Sequence, residues 1–130
     1  MDLNKFTERS KEILNSAQVL AMMQNHQQLQ PVHLLNSIIE DDDTASLLLV
    51  PAGLDLKNVK SAIEKELKKI PAVTGNSGGI SASKEFIVTV EEAKKISKQK
   101  GDEYVPVENI FIALLFGDFF SFFNCYNEFF

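Results

Sequence analysis

Few residues in this chain could do chemistry near neutral pH. His26 and His33 are its two histidines. A polar turn and Pro31 lie between them, and no nearby cysteine completes a tetrahedral set, so they are not read as metal ligands. His33 adjoins an apolar stripe and reads as a hydrogen-bonded structural histidine. Cys125 is the single cysteine and has no histidine at a spacing that would activate a thiolate. Gly75-Asn76-Ser77-Gly78-Gly79 lacks the Gly-Lys-Ser/Thr ending that wraps and neutralises phosphates, and reads as a linker. Glu40-Asp41-Asp42-Asp43 lacks the spaced oxygen ligands and central glycine of a calcium loop. It reads as a solvated turn that favours the next helix's N-terminus. No metal, no cofactor and no catalytic constellation are expected, and the chain is read as a non-enzyme. Met22-Met23 could form an adaptable binding surface, but ordinary packing at a helix end is the simpler reading.

These residues sit on a repeated unit. Gln30-Pro31-Val32-His33-Leu34-Leu35-Asn36-Ser37-Ile38-Ile39 recurs, imperfectly, as Pro106-Val107-Glu108-Asn109-Ile110-Phe111-Ile112-Ala113-Leu114-Leu115. At a constant offset of 76 residues, Leu34 meets Ile110, Leu35 meets Phe111, Ile38 meets Leu114 and Ile39 meets Leu115. The same offset aligns Leu14 with Val90, Ala17 with Ala93, Leu20 with Ile96, and the capping residue Thr7 with Ser83. An ungapped offset that keeps apolar positions apolar marks a duplicated structural unit.

Composition agrees with one soluble domain: 130 residues, 45% apolar and 24% charged. A net charge of -5 argues against nucleic acid as the main partner, because phosphate binding needs clustered lysine and arginine. One cysteine permits no internal disulfide and suits a reducing, cytoplasmic setting. Met1-Asp2-Leu3-Asn4-Lys5 is too polar for a signal peptide core. The apolar-rich stretch from Ile110 to Phe123 is broken by Gly117-Asp118 and is too short to span a bilayer, so no membrane partner is expected.

Helical spacing predicts six helices. The first is capped by Thr7, with Phe6 packing back onto it, and buries Ile13, Leu14, Ala17, Leu20 and Ala21. The second opens at Pro31. The third is a short apolar run, Leu47 to Val50, ended by Pro51 and Gly53. The fourth follows Asp55, with Lys60, Glu64 and Lys68 offering surface pairs. The fifth is capped by Ser83 and buries Phe86, Val90, Ala93 and Ile96; its β-branched run Ile87 to Val90 favours a strand locally, but the repeat overrides that signal. The sixth runs from Val107 to Leu115. The organisation is therefore residues 1-70 as a first repeat, 71-82 as a flexible linker, 83-115 as an incomplete second repeat, and 116-130 as an atypical tail. That tail holds seven of the ten phenylalanines. It could complete the core, form an exposed sticky patch, or arise by truncation or frame change, and the last fits best because its pattern does not continue the repeat.

Phe6-Thr7-Glu8-Arg9, Gln30-Pro31-Val32-His33-Leu34-Leu35, Ala52-Gly53-Leu54-Asp55, and Gly101-Asp102 followed by Val107-Glu108-Asn109-Ile110-Phe111 carry a family likeness in their order and spacing. Over residues 1 to about 115 the chain resembles the N-terminal domain of the Clp ATPases, the Clp repeat domain. Ile70-Pro71-Ala72-Val73-Thr74-Gly75 and Gly78-Gly79 look more like the ClpB disaggregases than the protease-linked members. The resemblance implies an all-α fold of two pseudo-symmetric repeats, here with the second incomplete. It implies a module tethered to a hexameric ATPase that contacts unfolded or aggregated proteins, with Clp ATPase subunits or adaptors as further partners. In that family, polar positions matching Thr7, Asp102 and Glu108 are associated with client handling. Each also has a structural role to weigh: Thr7 as a cap, Asp102 in a turn, and Glu108 at a helix N-terminus. The offset places Thr7 and Asp102 at non-equivalent points of the two copies, so symmetry alone does not join them. The family's ATPase motifs are not found in the sequence, so a truncated, client-binding module is expected, with an adaptor-binding module or a relic fragment as the alternative. Missing helices would bare part of the fifth and sixth helices' stripes. A few hundred Å2 of such surface, at about 25 cal/mol per Å2, rivals a domain's net stability.

Overall fold

The computed structural model describes residues 3-73 and 79-116; residues 74-78 and the tail beyond Phe116, with Cys125, lie outside it. Among the described residues the fold is all-α with two short paired segments. A 3-10 turn, Leu3–Lys5, leads to α1 (Glu8–Met23), β1 (Gln28–Leu29), α2 (Pro31–Ile39), α3 (Asp42–Leu49) and α4 (Leu56–Lys69). β2 (Ser81–Ala82), α5 (Lys84–Lys100) and α6 (Val107–Phe116) follow. No helix among the described residues is long and apolar enough to cross a membrane.

The helix starts are set by short polar side chains. The hydroxyls of Thr7 and Ser83 accept from Ser10 N–H and Phe86 N–H, both at 3.1 Å, and the Asp55 carboxylate accepts from Asn58 N–H at 3.2 Å. Each satisfies one of the donors that a helix start leaves free. Pro31 occupies the first turn of α2 as its missing N–H predicts. The β-branched run of α5 is helical, so tertiary packing overrode its local preference.

The core is centred on α2. Eight of its nine residues are buried, and it packs against all five other helices. Leu34, Leu35 and Ile38 are fully buried there, as are Ile110, Ala113 and Leu114 of α6. Ala17, Ala21, Ala45 and Ala93 are also fully buried, and their small side chains let neighbouring backbones approach. The stripes of α5 and α6 are thus buried rather than bare; on the described residues of these two helices the large apolar side chains left to water are Ile87, Val88 and Phe116.

The repeat offset reappears as geometry. Asn25 and Gly101, 76 residues apart, both adopt the left-handed conformation that ends α1 and α5, with φ of 58° and 79°. The following amides close the same bond, His26 N–H to Ala21 at 2.9 Å and Asp102 N–H to Ser97 at 2.9 Å. The copies then exchange backbone. Leu29 pairs with Ala82 in the parallel β1–β2 ladder, and Phe6 pairs with Val105 in a parallel bridge. Shifted by the offset, each pair becomes the other. The hydrogen bonds agree: Thr7 N–H donates to the Val105 carbonyl at 3.2 Å, and Ser83 N–H to the Leu29 carbonyl at 2.9 Å.

Several local expectations change. α3 begins at Asp42, so two of the acids read as a turn lie in its first helical turn, where the dipole favours them. Leu47 and Val50 are exposed, because Ala45 and Leu49, with Leu48 in part, face the core. Met22 and Met23 are also exposed and do not serve as core packing. Lys60 reaches Asp42 of α3 at 3.9 Å, and Lys69 pairs with Glu66 at 3.0 Å, in place of pairing along Lys60, Glu64 and Lys68. Both described ends of the 71-82 segment are bonded to the helical body. Val73 N–H donates to the Asn25 carbonyl at 2.8 Å, and Ser81–Ala82 form β2.

Ile38→Ala, at a fully buried position on α2, is expected to cost about 2–5 kcal/mol in denaturant unfolding. Leu47→Ala, at an exposed one, should change stability by less than about 0.5 kcal/mol. A Cβ on Gly101 would meet nothing within 4 Å, so Gly101→Ala isolates the backbone strain of its positive φ. It should destabilise by about 1 kcal/mol, and Gly101→Asn by less.

Candidate functional site

The exchanged bridges are flanked by two surface clefts. Beside Phe6–Val105 lies one of about 420 Å3, lined by Lys5, Lys94, Ser97, Lys98, Asp102, Glu103 and Val105. Beside Leu29–Ala82 lies one of about 510 Å3, lined by Gln27, Gln28, Gln30, Ile70, Pro71, Gly79, Ile80 and Ser81. The clefts are counterparts: at the repeat offset Lys5 corresponds to Ser81 and Glu103 to Gln27. Their chemistry differs. The first carries three lysines and two acids; the second carries no charged lining residue among those described.

Thr7 and Asp102 meet at the junction around Val105, and Glu108 stands apart from their bonds. Thr7 caps α1 and donates its hydroxyl to Ser10 Oγ at 3.0 Å, and Ser10 Oγ donates to the Val105 carbonyl at 2.8 Å. Asp102 lines the charged cleft, and its Oδ2 accepts from Asn109 Nδ2 at 2.8 Å. Glu108 stands exposed in the first turn of α6, where a negative charge suits the helix N-terminus. Thr7 and Asp102 are non-equivalent in the two copies, as the offset requires. They share a junction because the start of the first copy pairs with the turn region of the second.

The lysines of this cleft were not visible in advance. Lys94 and Lys98 belong to the solvent side of an amphipathic helix, and only the bridge places Lys5 beside them. Asn109 was also unmarked. It is fully buried, its Oδ1 accepts from Lys100 Nζ at 3.0 Å, and its Nδ2 donates to Ser97 Oγ and Asp102 Oδ2, both at 2.8 Å. Buried amides persist where both ends are satisfied in this way.

In the first copy the offset replaces Asp102 and Asn109 by His26 and His33. His26 Nδ1 lies 2.7 Å from His33 Nε2, and Gln30 N–H donates to His33 Nδ1 at 2.9 Å. That second bond fixes the tautomers. His33 Nδ1 is an acceptor, so its proton is on Nε2 and points at His26 Nδ1; the proton of His26 is then on Nε2. His33 therefore is the hydrogen-bonded structural histidine that its place beside the stripe suggested, and it fills the reach-back role that Glu or Gln plays in a capping box. Burial, and then the neighbouring His26, push the His33 pKa down to about 4; burial also lowers that of His26. Among the described residues no group of three or more His, Cys, Asp and Glu could hold a metal.

A polar clip closes the far side of α1. Arg9 Nη2 meets Asp41 Oδ2 at 2.8 Å, and Thr44 Oγ1 donates to the same oxygen at 2.6 Å. The Thr44 hydroxyl first, and then Arg9, hold the Asp41 carboxyl below its usual range.

Two variants separate these roles by thermal or denaturant unfolding. Thr7→Ala should cost about 1 kcal/mol as a lost cap. Asp102→Ala should cost about 1–3 kcal/mol, because it strips the buried Asn109 of an acceptor.

The comparisons with known proteins agree with this fold. The sequence profile of the Clp repeat (R) N-terminal domain matches residues 5–125. The chaperone protein ClpB of Rickettsia felis is 36% identical over 120 residues, which covers 91% of this chain and 14% of that protein. ClpB of Agrobacterium fabrum is 36% identical over 115 residues, covering 88% of this chain and 13% of its own length. The chain thus spans about 14% of the length of such relatives. Among solved structures, the Hsp104 N-terminal domain from Candida albicans superposes with a TM-score of 0.83 at 28% identity, covering 95% of this chain and 81% of that one. A ClpV N-domain in complex with a VipB peptide gives a TM-score of 0.74 at 22% identity, covering 94% of this chain and 79% of that one. The fold, the duplicated unit and the ClpB relatives lead to one assignment: this chain belongs to the Clp repeat N-terminal domain family, in the form carried by the ClpB chaperones.

Proposed function

We propose that this chain is a non-catalytic, client-binding domain of a ClpB-type disaggregase, capturing exposed segments of unfolded or aggregated proteins in a cytoplasmic setting. The observation that supports the reading is the meeting of Thr7 and Asp102 at the Val105 junction, beside a cleft of mixed charge, with Glu108 exposed on the α6 turn that follows. Capture would be weak and reversible. The cleft is open and charged, and exposed charges attract a partner without the large desolvation cost of buried ones. Client segments would lie along the cleft with the acids Asp102 and Glu108 at its rim. ATP hydrolysis and threading would belong to the ATPase modules of such a protein.

A second reading is an adaptor-binding module. The related ClpV N-domain was solved with a VipB peptide, and a bound peptide is equally the signature of a defined partner. A sequence-selective partner would compete with unfolded clients, whereas general capture would tolerate many sequences.

Glu108 gives the cleanest probe. It is exposed and has no bonded partner among the described residues, so Glu108→Gln should leave stability within about 0.5 kcal/mol. Binding of the purified chain to a fluorescently labelled, permanently unfolded protein should weaken about 3- to 10-fold, corresponding to the loss of a rim charge. Added salt should weaken the parent chain more than the variant. Unchanged affinity for Glu108→Gln would remove Glu108 from the site, and absence of any client binding by the parent would overturn the reading.

A further inference from the structure

The His26–His33 pair has no part in the reading above, yet it is the buried, titratable counterpart of Asp102–Asn109. We infer that it is a proton-operated latch on the first copy, releasing the Asn25–Gln30 segment and its strand pairing with the second copy when acidified. The argument is one of bond counting. In the neutral pair, His33 Nδ1 accepts from Gln30 N–H and its Nε2 donates to His26 Nδ1. An added proton on His33 Nδ1 faces the Gln30 donor. An added proton on His26 Nδ1 faces the His33 donor, unless His33 moves its own proton to Nδ1 and again meets Gln30. The pair cannot hold one more proton without breaking a bond, and both rings are buried.

Among the described residues, no charged group bonded to the pair offsets that cost. The last turn of α1, the segment from Asn25 to Gln30, and β2 carry no Asp, Glu, Lys or Arg. On α2, Glu40 accepts from Asn36 at the far end. On α4, Glu66 pairs with Lys69 and Glu64 is exposed. Glu85 of α5 and Glu108 of α6 are exposed. On α1, Glu12 pairs with Arg9 and Glu8 with Lys11, and Arg9 also holds Asp41 of the α2–α3 turn.

The latch spans the contact between copies. β1 lies between the two histidines, and the Leu29 carbonyl accepts from Ser83 N–H at 2.9 Å. Asn25 also holds Val73 N–H at 2.8 Å. Freeing this segment therefore undoes one of the two exchanged pairs. The other, at Phe6–Val105, is flanked by Asp102–Asn109, which contains no histidine. The pH direction follows from the lowered histidine pKa. Unfolding the segment lets the rings regain their ordinary affinity for protons near pH 6.5, so the latch is fully closed above that value and loosens as the pH falls toward about 4.

Amide hydrogen exchange on the full chain, corrected for intrinsic rates, tests the latch at pH 7 and pH 5. Gln30 and Ser83 N–H are expected to lose at least about tenfold in protection, while Thr7 N–H, the symmetric counterpart of Ser83, keeps most of its own. His26→Asp with His33→Asn, which installs the second copy's pair, should abolish the difference between the two sites. If that variant does not fold, NMR titration of the two imidazoles in the parent chain replaces it. Ring protonation should then track the loss of Gln30 protection. Equal loss at Thr7 and Ser83, or ring protonation with Gln30 protection intact, would overturn the proposal.

Discussion

The fold depends on an exchange of backbone between its two halves. Each copy has a segment before its first helix and another before its second. Neither pairs within its own copy; Phe6 pairs with Val105, and Leu29 with Ala82. These bridges are only one or two residues long, yet they fix how the helices meet. They set the starts of α1 and α5 against the starts of α6 and α2, so that α2 can sit buried at the centre. A helix so fully buried is stable only when other helices enclose it, and both copies supply them.

The same exchange explains why the polar surface is asymmetric. Duplication gives each half a left-handed turn, a residue after it, and a buried polar side chain one helical turn into the second helix. In one half these are Gly101, Asp102 and Asn109; in the other, Asn25, His26 and His33. The backbone bonds are retained, while the side chains have diverged to an acid–amide pair and an imidazole pair. The clefts beside them have diverged likewise, one bearing five charged residues and the other lined by glutamines and apolar groups. Symmetric packing constrains the core, where a change of volume is felt at once, and leaves the rims of the clefts free to differ.

Much of the helical plan is legible from sequence because it rests on local chemistry. Thr7, Asp55 and Ser83 stand where hydroxyls and carboxylates cap helices, Pro31 stands in a first turn, and the offset of 76 residues carries the apolar stripe through. The junction is not legible in the same way. A two-residue strand has no periodicity, and Phe6 reads as a staple for its own helix although it is buried against the far copy. His26 lies in a run of polar residues that reads as a turn, yet it is buried because the run folds back onto α2. Met22, Met23, Leu47 and Val50 mislead in the opposite sense. They are apolar but stand on faces of α1 and α3 that no described neighbour covers, and burial is decided by those neighbours.

The Phe6–Val105 pairing also governs how the chain can acquire its structure in time. A helical domain usually folds through contacts close in sequence, and so folds fast. Here one bridge closes a loop of about three quarters of the chain, while the hairpins of α1 with α2 and of α5 with α6 need only short turns. Those hairpins can form early and independently, but each carries unpaired pre-helix backbone until it finds the other. The two preformed halves must then meet across the chain that joins α2 to α5, a loop-closure cost separate from the making of any helix.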